Sequence, residues 1–146
     1  PGLARWLLGA PDLAALPGLR RAALAPLQAA LERLRTLTGG ELEALRGKAV
    51  HERMSAEDDE ALMRLAAAYL ALHSVAPEGD PVARFHLDNG ARLERLNLRG
   101  NLSPAGLKQS FGLMVNYLYD LDKVESNHDR FRQGEVVRSR PFSALL

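Results

Sequence analysis

The chain has 146 residues, 47% of them apolar and 25% charged, with a net charge of +1 and no cysteine. That length carries one domain with a real core, and the balance of residues is that of a soluble globular protein, not a disordered one. A charge so close to zero supplies no bulk field for nucleic acid or an anionic membrane, and the lack of thiols excludes disulfide scaffolds, thiol nucleophiles and zinc–thiolate centres within these residues.

Residues 1–75 read as almost entirely helical. A short apolar segment runs from Leu3 to Leu8 and ends at Gly9-Ala10-Pro11. Arg5 interrupts it and no cleavage pattern follows, so it is not read as a signal peptide. A longer helix follows, with Leu24, Leu27, Leu31 and Leu34 on one stripe, stopped by Gly39-Gly40. After a turn of helix over Glu41 to Arg46, Ser55 with Asp58 three residues later has the form of a capping box. Leu62, Leu65, Ala66, Tyr69, Leu70 and His73 then define one face that runs up to Pro77. The acidic run Glu57 to Glu60 falls in the first turn, where carboxylates complement the helix dipole, and reads as a solvated helix start.

The texture changes at the Pro- and Gly-rich loop Ala76 to Asp80. Asp80 suits an N-cap and Pro81 the first helical position, while Asn89-Gly90 ends the helix. Arg92 to Leu98 reads as a strand with imperfect alternation. Ser103-Pro104 caps a short helix, and Leu113, Val115, Tyr117 and Tyr119 give a clearer alternating strand. A polar helix around Asp122 to Arg132 completes the segment 80–135, and the Pro- and Arg-containing tail, 136–146, reads as loose. The fold class is α+β: helices first, then a helix–strand–helix–strand run. Two strands do not make a stable sheet alone, so the sheet they complete is expected to lie partly outside this chain.

Four histidines and several tyrosines and asparagines are the candidates for chemistry. Val82, Phe85, His86 and Asn89 share one helix face, and an imidazole there suits proton transfer near neutral pH. Spacing alone favours the other reading, a core histidine satisfied by backbone or by Asn89. Tyr117 and Tyr119 share a strand face, from which a hydroxyl can serve a developing enolate oxygen or merely cap a packed ring. Asn97, Asn101 and Asn116 lie near strand ends; turn chemistry accounts for Asn101, and Asn116 has the alternative of a cross-strand partner. His51, His73 and His128 are scattered without metal-ligand spacing, so no metal is expected. Arg92, Arg95 and Arg99 read as a solvated strand edge before a phosphate contact. Ser103, Ser110 and Ser126 stand in no nucleophile elbow, and Gly106 and Gly112 fit no nucleotide-binding loop.

Taken together, Asp80-Pro-Val-Ala-Arg-Phe-His-Leu-Asp-Asn-Gly-Ala-Arg-Leu-Glu-Arg-Leu-Asn97 resembles the histidine segment of malonyl-CoA decarboxylases. The likeness continues without a gap through Ser103-Pro-x-Gly106 and Gln109-Ser-x-Gly112-Leu-Met-x-Asn-Tyr-x-Tyr119. Pro1-Gly2 with Trp6-Leu7-Leu8, and Leu65 to Leu72, are similar more loosely. The resemblance implies the helix-rich C-terminal portion of a GNAT-like acyl-CoA-binding domain that turns malonyl-CoA into acetyl-CoA and carbon dioxide without metal or organic cofactor. It implies His86 as the catalytic, substrate-contacting proton donor and Tyr119 as a hydroxyl near the thioester. The family's catalytic serine precedes the Pro-Gly that here is Pro1-Gly2, so that serine, the CoA pyrophosphate loop and further strands are expected upstream, leaving these residues inactive alone.

Two other readings stay open: a helical interaction module that kept the scaffold, and a different GNAT-type acyl-CoA transferase. No apolar run approaches the roughly 18 residues of a spanning helix, so no membrane partner is expected. The final Ala-Leu-Leu is not the Ser-Lys-Leu address. With an Ala-, Leu- and Arg-rich, bacterial-like composition, the expected location is cytoplasmic. Spare apolar helix faces would permit a homo-oligomer.

Overall fold

A computed structural model describes residues 2–146. In chain order the helices are α1 (Leu3–Leu8), α2 (Arg21–Leu37), α3 (Lys48–Glu52), α4 (Ala56–Ala71), α5 (Pro81–Asp88), α6 (Pro104–Ser110), α7 (Val124–Arg132) and α8 (Arg140–Ser143). Strand β1 (Arg92–Asn97) lies between α5 and α6, and β2 (Met114–Leu118) between α6 and α7. Short 3-10 turns at Leu13–Ala15, Leu42–Arg46 and His73–Val75 join the helical half. The α+β order read from the sequence is the order found.

Helix α4 is the centre of the core. Its start is the expected capping box: the Asp58 amide donates to Ser55 Oγ at 3.1 Å and the Ser55 amide to Asp58 Oδ2 at 3.0 Å. The sequence marked a single apolar face on this helix. Instead every residue from Leu65 to Ala71 is buried, because α2, α1 and β1 all pack on it and the run Ala66-Ala67-Ala68 lets backbones come close on the remaining sides. The acidic first turn is also less solvated than expected. Asp58 is 8% exposed and receives the Arg33 Nε at 2.9 Å, and Asp59 takes a bidentate pair from Arg99 at 3.0 and 2.9 Å. Those two carboxylates tie α4 to α2 and to the turn after β1.

The strands pair antiparallel, with Leu93 opposite Tyr117, Arg95 opposite Asn116 and Leu96 opposite Val115. The register slips at Glu94, a bulge that inserts one residue into β1. That bulge is the physical reason for the imperfect alternation: Leu93 and Leu96 are three apart, yet both are buried.

The tail is not loose. The Leu93 amide donates to the Val137 carbonyl at 3.0 Å, the Ser139 amide to the Leu93 carbonyl at 2.9 Å, and the Ser139 hydroxyl to the Glu94 carbonyl at 2.7 Å. Val136 and Phe142 are 4% and 1% exposed. The last residues therefore cover the outer edge of β1 in a parallel bridge, an edge the two-strand reading left open. Along β2, no further strand pairs with the other edge among the described residues.

Candidate active site

Helix α5 carries His86, and its N-terminus is fixed from outside the helix. Asp80 Oδ2 accepts the Ala83 amide at 3.0 Å, a standard N-cap, while Oδ1 accepts the Tyr69 hydroxyl from α4 at 3.0 Å. Tyr69 is itself part of a three-ring cluster with Trp6, at 5.2 Å between ring centroids, and His73, at 5.7 Å, whose rings also meet each other at 5.8 Å. Burial and the neighbouring Asp80 carboxylate push the Tyr69 hydroxyl well above the usual tyrosine range, so it remains a donor. At the other end, Gly90 has φ +90°, and a β-carbon there would stand 2.3 Å from the Val124 carbonyl oxygen. Only glycine allows α7 to close on the end of α5.

Ala83 and Leu87 turn inward, while Val82 and Phe85 are 60% and 62% exposed. The face on which spacing placed His86 is thus the outward one, and the core-histidine alternative fails: His86 is half-buried. Asn89 does not serve it either, since its amide donates to the Phe85 carbonyl at 2.8 Å. The partners of His86 come from β2 and the residue just past it. Its Nδ1 lies 2.6 Å from the Tyr119 hydroxyl. Its ring stacks on Tyr117, with centroids 4.2 Å apart and planes at 21°. Both tyrosines read as sharing a strand face do face this helix.

Tyr117 also lines a cavity of about 520 Å³, whose wall includes Gly2, Tyr69, Asp80, His86 and Leu96. That volume lies within the range of small-molecule sites. Burial first, and then the charge of Asp80, push the Tyr117 hydroxyl far above its ordinary range. The hydroxyl is fully buried with no hydrogen-bond partner among the described residues. Gly2, at φ +110°, sits so close to α6 that a β-carbon would stand 2.9 Å from the Gln109 carbonyl oxygen. The start of the described chain is therefore part of the cavity wall.

Of the remaining candidates Ser110 also lines the cavity, its hydroxyl committed to the Gly106 and Leu113 carbonyls at 3.1 and 2.9 Å; the others lie outside the cavity wall. Asn97 Nδ2 donates to Asn116 Oδ1 at 2.6 Å across the strands, on the face away from Tyr117. Asn101 Oδ1 accepts the Ser103 amide at 3.0 Å, as turn chemistry suggested. Buried His51 contacts the Leu45 carbonyl through Nε2 at 2.7 Å, and His128 meets the Asp88 carbonyl. Arg92 pairs with Glu94 at 2.7 Å. Sequence reasoning missed the Tyr69 hydroxyl, counted only as part of an apolar face. The available signal was an N-cap aspartate following a helix that buries a tyrosine, since a buried phenol seeks a partner. Among the described residues no group of three or more His, Cys, Asp or Glu is placed to hold a metal ion, and no helix is long and apolar enough to cross a membrane.

An α+β chain that docks a helix-borne histidine against a strand-end tyrosine beside an open-mouthed cavity has the residue types of an acid–base site for a small molecule. The chain belongs to the malonyl-CoA decarboxylase C-terminal domain family, whose model matches residues 2–146. It is 34% identical over 149 positions to the mitochondrial malonyl-CoA decarboxylase of Rattus norvegicus, covering 95% of this chain and 30% of that protein. A 69-residue stretch is 49% identical to the mitochondrial enzyme of Anser anser anser, covering 45% of this chain and 13% of that protein. Among solved structures, malonyl-CoA decarboxylase from Rhodopseudomonas palustris superposes with a TM-score of 0.69 at 38% identity, over 99% of this chain and 31% of that one. The Cupriavidus metallidurans enzyme gives a TM-score of 0.72 at 34% identity, over 100% of this chain and 36% of that one. The chain thus spans about a third of the length of its long-matching relatives. The solved relatives are bacterial and the rat and goose proteins are named mitochondrial, which weighs against reading the location as cytoplasmic from composition.

Proposed function

We propose that this chain supplies the histidine side of a malonyl-CoA decarboxylase site within a GNAT-like acyl-CoA-binding domain. The observation that carries the reading is the 2.6 Å pair of His86 Nδ1 and the Tyr119 hydroxyl beside the cavity, in a chain of this family. Cleavage of the bond between C2 of malonyl-CoA and its carboxylate releases carbon dioxide and leaves the electron pair on C2 as a thioester enolate. In its protonated form His86 donates Nδ1–H to the Tyr119 oxygen, and gives the Nε2 proton to C2. Acetyl-CoA results, the neutral imidazole remains, and solvent restores its proton. The reaction balances with one proton consumed and needs no oxidant or reductant.

The serine that would hold the thioester oxygen belongs to the segment before Pro1 in this proposal, as do the CoA pyrophosphate loop and the strands that would pair with β2. Exposed Val82, Phe85, Met114 and Leu118 provide apolar area against which those parts, or a second copy in a homo-oligomer, would pack. Malonyl-CoA is the partner of the site, with no nucleic acid or membrane.

The test is release of carbon dioxide from malonyl-CoA by the chain together with whatever upstream sequence its gene encodes. His86→Ala is expected to lower kcat by about 10²–10⁴-fold, the usual worth of a positioned general acid, with an unchanged circular dichroism spectrum. Full turnover in that folded variant would sink the proposal. Acetyl transfer to an amine without release of carbon dioxide would point to a transferase instead.

A further inference from the structure

We propose that Tyr117 is a positioning residue for His86 that acts through its ring alone, so that two tyrosines two residues apart, one in β2 and one just past its end, divide the work. The inference rests on the decarboxylase reading of the site. Tyr119 reaches Nδ1 with its hydroxyl, yet its ring is 5.9 Å from the imidazole at 63°, which makes it a hydrogen-bond partner and a poor wall. Tyr117 is the reverse: its ring lies 4.2 Å from the imidazole at 21°, and its hydroxyl touches no polar partner among the described residues.

A single hydrogen bond at Nδ1 fixes the rotation of the imidazole about its Cβ–Cγ bond only loosely, because that torsion is broad. A flat surface against one face of the ring removes that freedom. Phe85 meets the imidazole edge-on, at 5.3 Å and 77°, and is 62% exposed, so it cannot serve as that surface. Tyr117 can. It sits opposite the fully buried Leu93 in the strand register, which anchors its backbone, and one residue beyond Asn116, whose cross-strand bond to Asn97 fixes the neighbouring rung. The stack and the hydrogen bond together fix the plane in which Nε2 presents its proton, and misplacement of a reacting group by about 1 Å costs on the order of 10²-fold in rate.

The division of labour gives opposite outcomes for two conservative changes. Tyr117→Phe keeps the ring and removes a hydroxyl with no hydrogen-bond partner among the described residues, so the stack on His86 is expected to persist, kcat to stay at least about tenfold above that of Tyr117→Leu, and the melting temperature to stay level or rise, as when an unsatisfied buried polar group is deleted. Tyr117→Leu removes the flat surface. With it kcat is expected to fall by about 10²-fold while KM changes little, and Phe at the same position restores at least about tenfold of the rate. A spectroscopic readout follows the stack directly. The ring protons of His86 should show an upfield ring-current shift in the parent and in Y117F, lost in Y117L. Equal loss of kcat in Y117F and Y117L, or full kcat in Y117L, would overturn the proposal, as would a lowered melting temperature in Y117F, which would reveal an internal partner for the hydroxyl. A parent protein that carries its upstream sequence and still releases no carbon dioxide would overturn the decarboxylase reading instead, and the ring-current shift would still decide whether Tyr117 holds His86.

Discussion

Among the described residues the Tyr119 hydroxyl is the one polar group that hydrogen-bonds the His86 imidazole, and its removal isolates what that contact does. A histidine that loses the partner on one nitrogen no longer has its tautomer and orientation set by that bond. Tyr119→Phe keeps the backbone and the ring, and Tyr119 is 41% exposed, so stability should hardly move. Decarboxylase kcat is expected to fall by about 10–100-fold, the usual effect of removing the partner that orients a functional histidine, with KM within about threefold. Steady-state kinetics at saturating malonyl-CoA check it. A variant with unchanged kcat would remove Tyr119 from the proposed site. At this scale the sequence was half legible. Helical spacing placed His86 on a face but could not choose between core and site, because its deciding partner lies 33 positions away and no local pattern encodes such a pair.

Two helix N-termini determine where the site sits, and both were visible in advance as capping sequences. Helical caps are local, so Ser55 with Asp58 and Asp80 with Pro81 were readable; the side chains that reach them from elsewhere, Arg33 and Tyr69, were not. At α4, burial opposes ionisation of Asp58, but the hydrogen bonds from Ser55 and the Arg33 guanidinium prevail and hold its carboxyl below its ordinary value of 3.8. A depressed carboxyl contributes stability that is present above the unfolded value and lost as pH falls through the lower folded one. Asp58→Asn is therefore expected to be less stable than the parent in urea at pH 7, and the gap should shrink as pH falls below 3.8. A gap independent of pH would mean that the charge of Asp58 is not what stabilises the start of α4. At α5, Asp80→Ala removes the cap and strands the buried Tyr69 hydroxyl. The cost is expected to be about 1–2 kcal/mol for the cap, with a further loss of about 1–3 kcal/mol for the unpaired hydroxyl. Urea unfolding of the variant beside Asp80→Asn, which keeps an acceptor on Tyr69, separates the two.

Across the whole molecule, the last residues do what their composition concealed. A short stretch with Pro and several Arg looks like a frayed end, and its apolar residues, Val136, Val137, Phe142 and the final Ala144-Leu145-Leu146, follow no helical or strand period. Their partners lie some 45 residues back, at Leu93 and Glu94, so the docking is as nonlocal as the pairing of His86 with Tyr119. The consequence reaches the site through one strand. The tail bonds the outer edge of β1 at Leu93, Leu93 stands opposite Tyr117, and Tyr117 stacks on His86. Phe142, 1% exposed, anchors that tail in the core beneath the strand. Its truncation to alanine is expected to cost about 3–5 kcal/mol, the usual price of emptying a buried phenylalanine site. The loss should not be spread evenly. Hydrogen exchange should rise first at the Leu93 and Ser139 amides, which bridge tail and strand, before the α4 amides respond, because α4 is buried chiefly by α2, α1 and β1. Uniform acceleration across both would mean that the tail and the helical core unfold as one unit, and that the tail does not act on β1 separately.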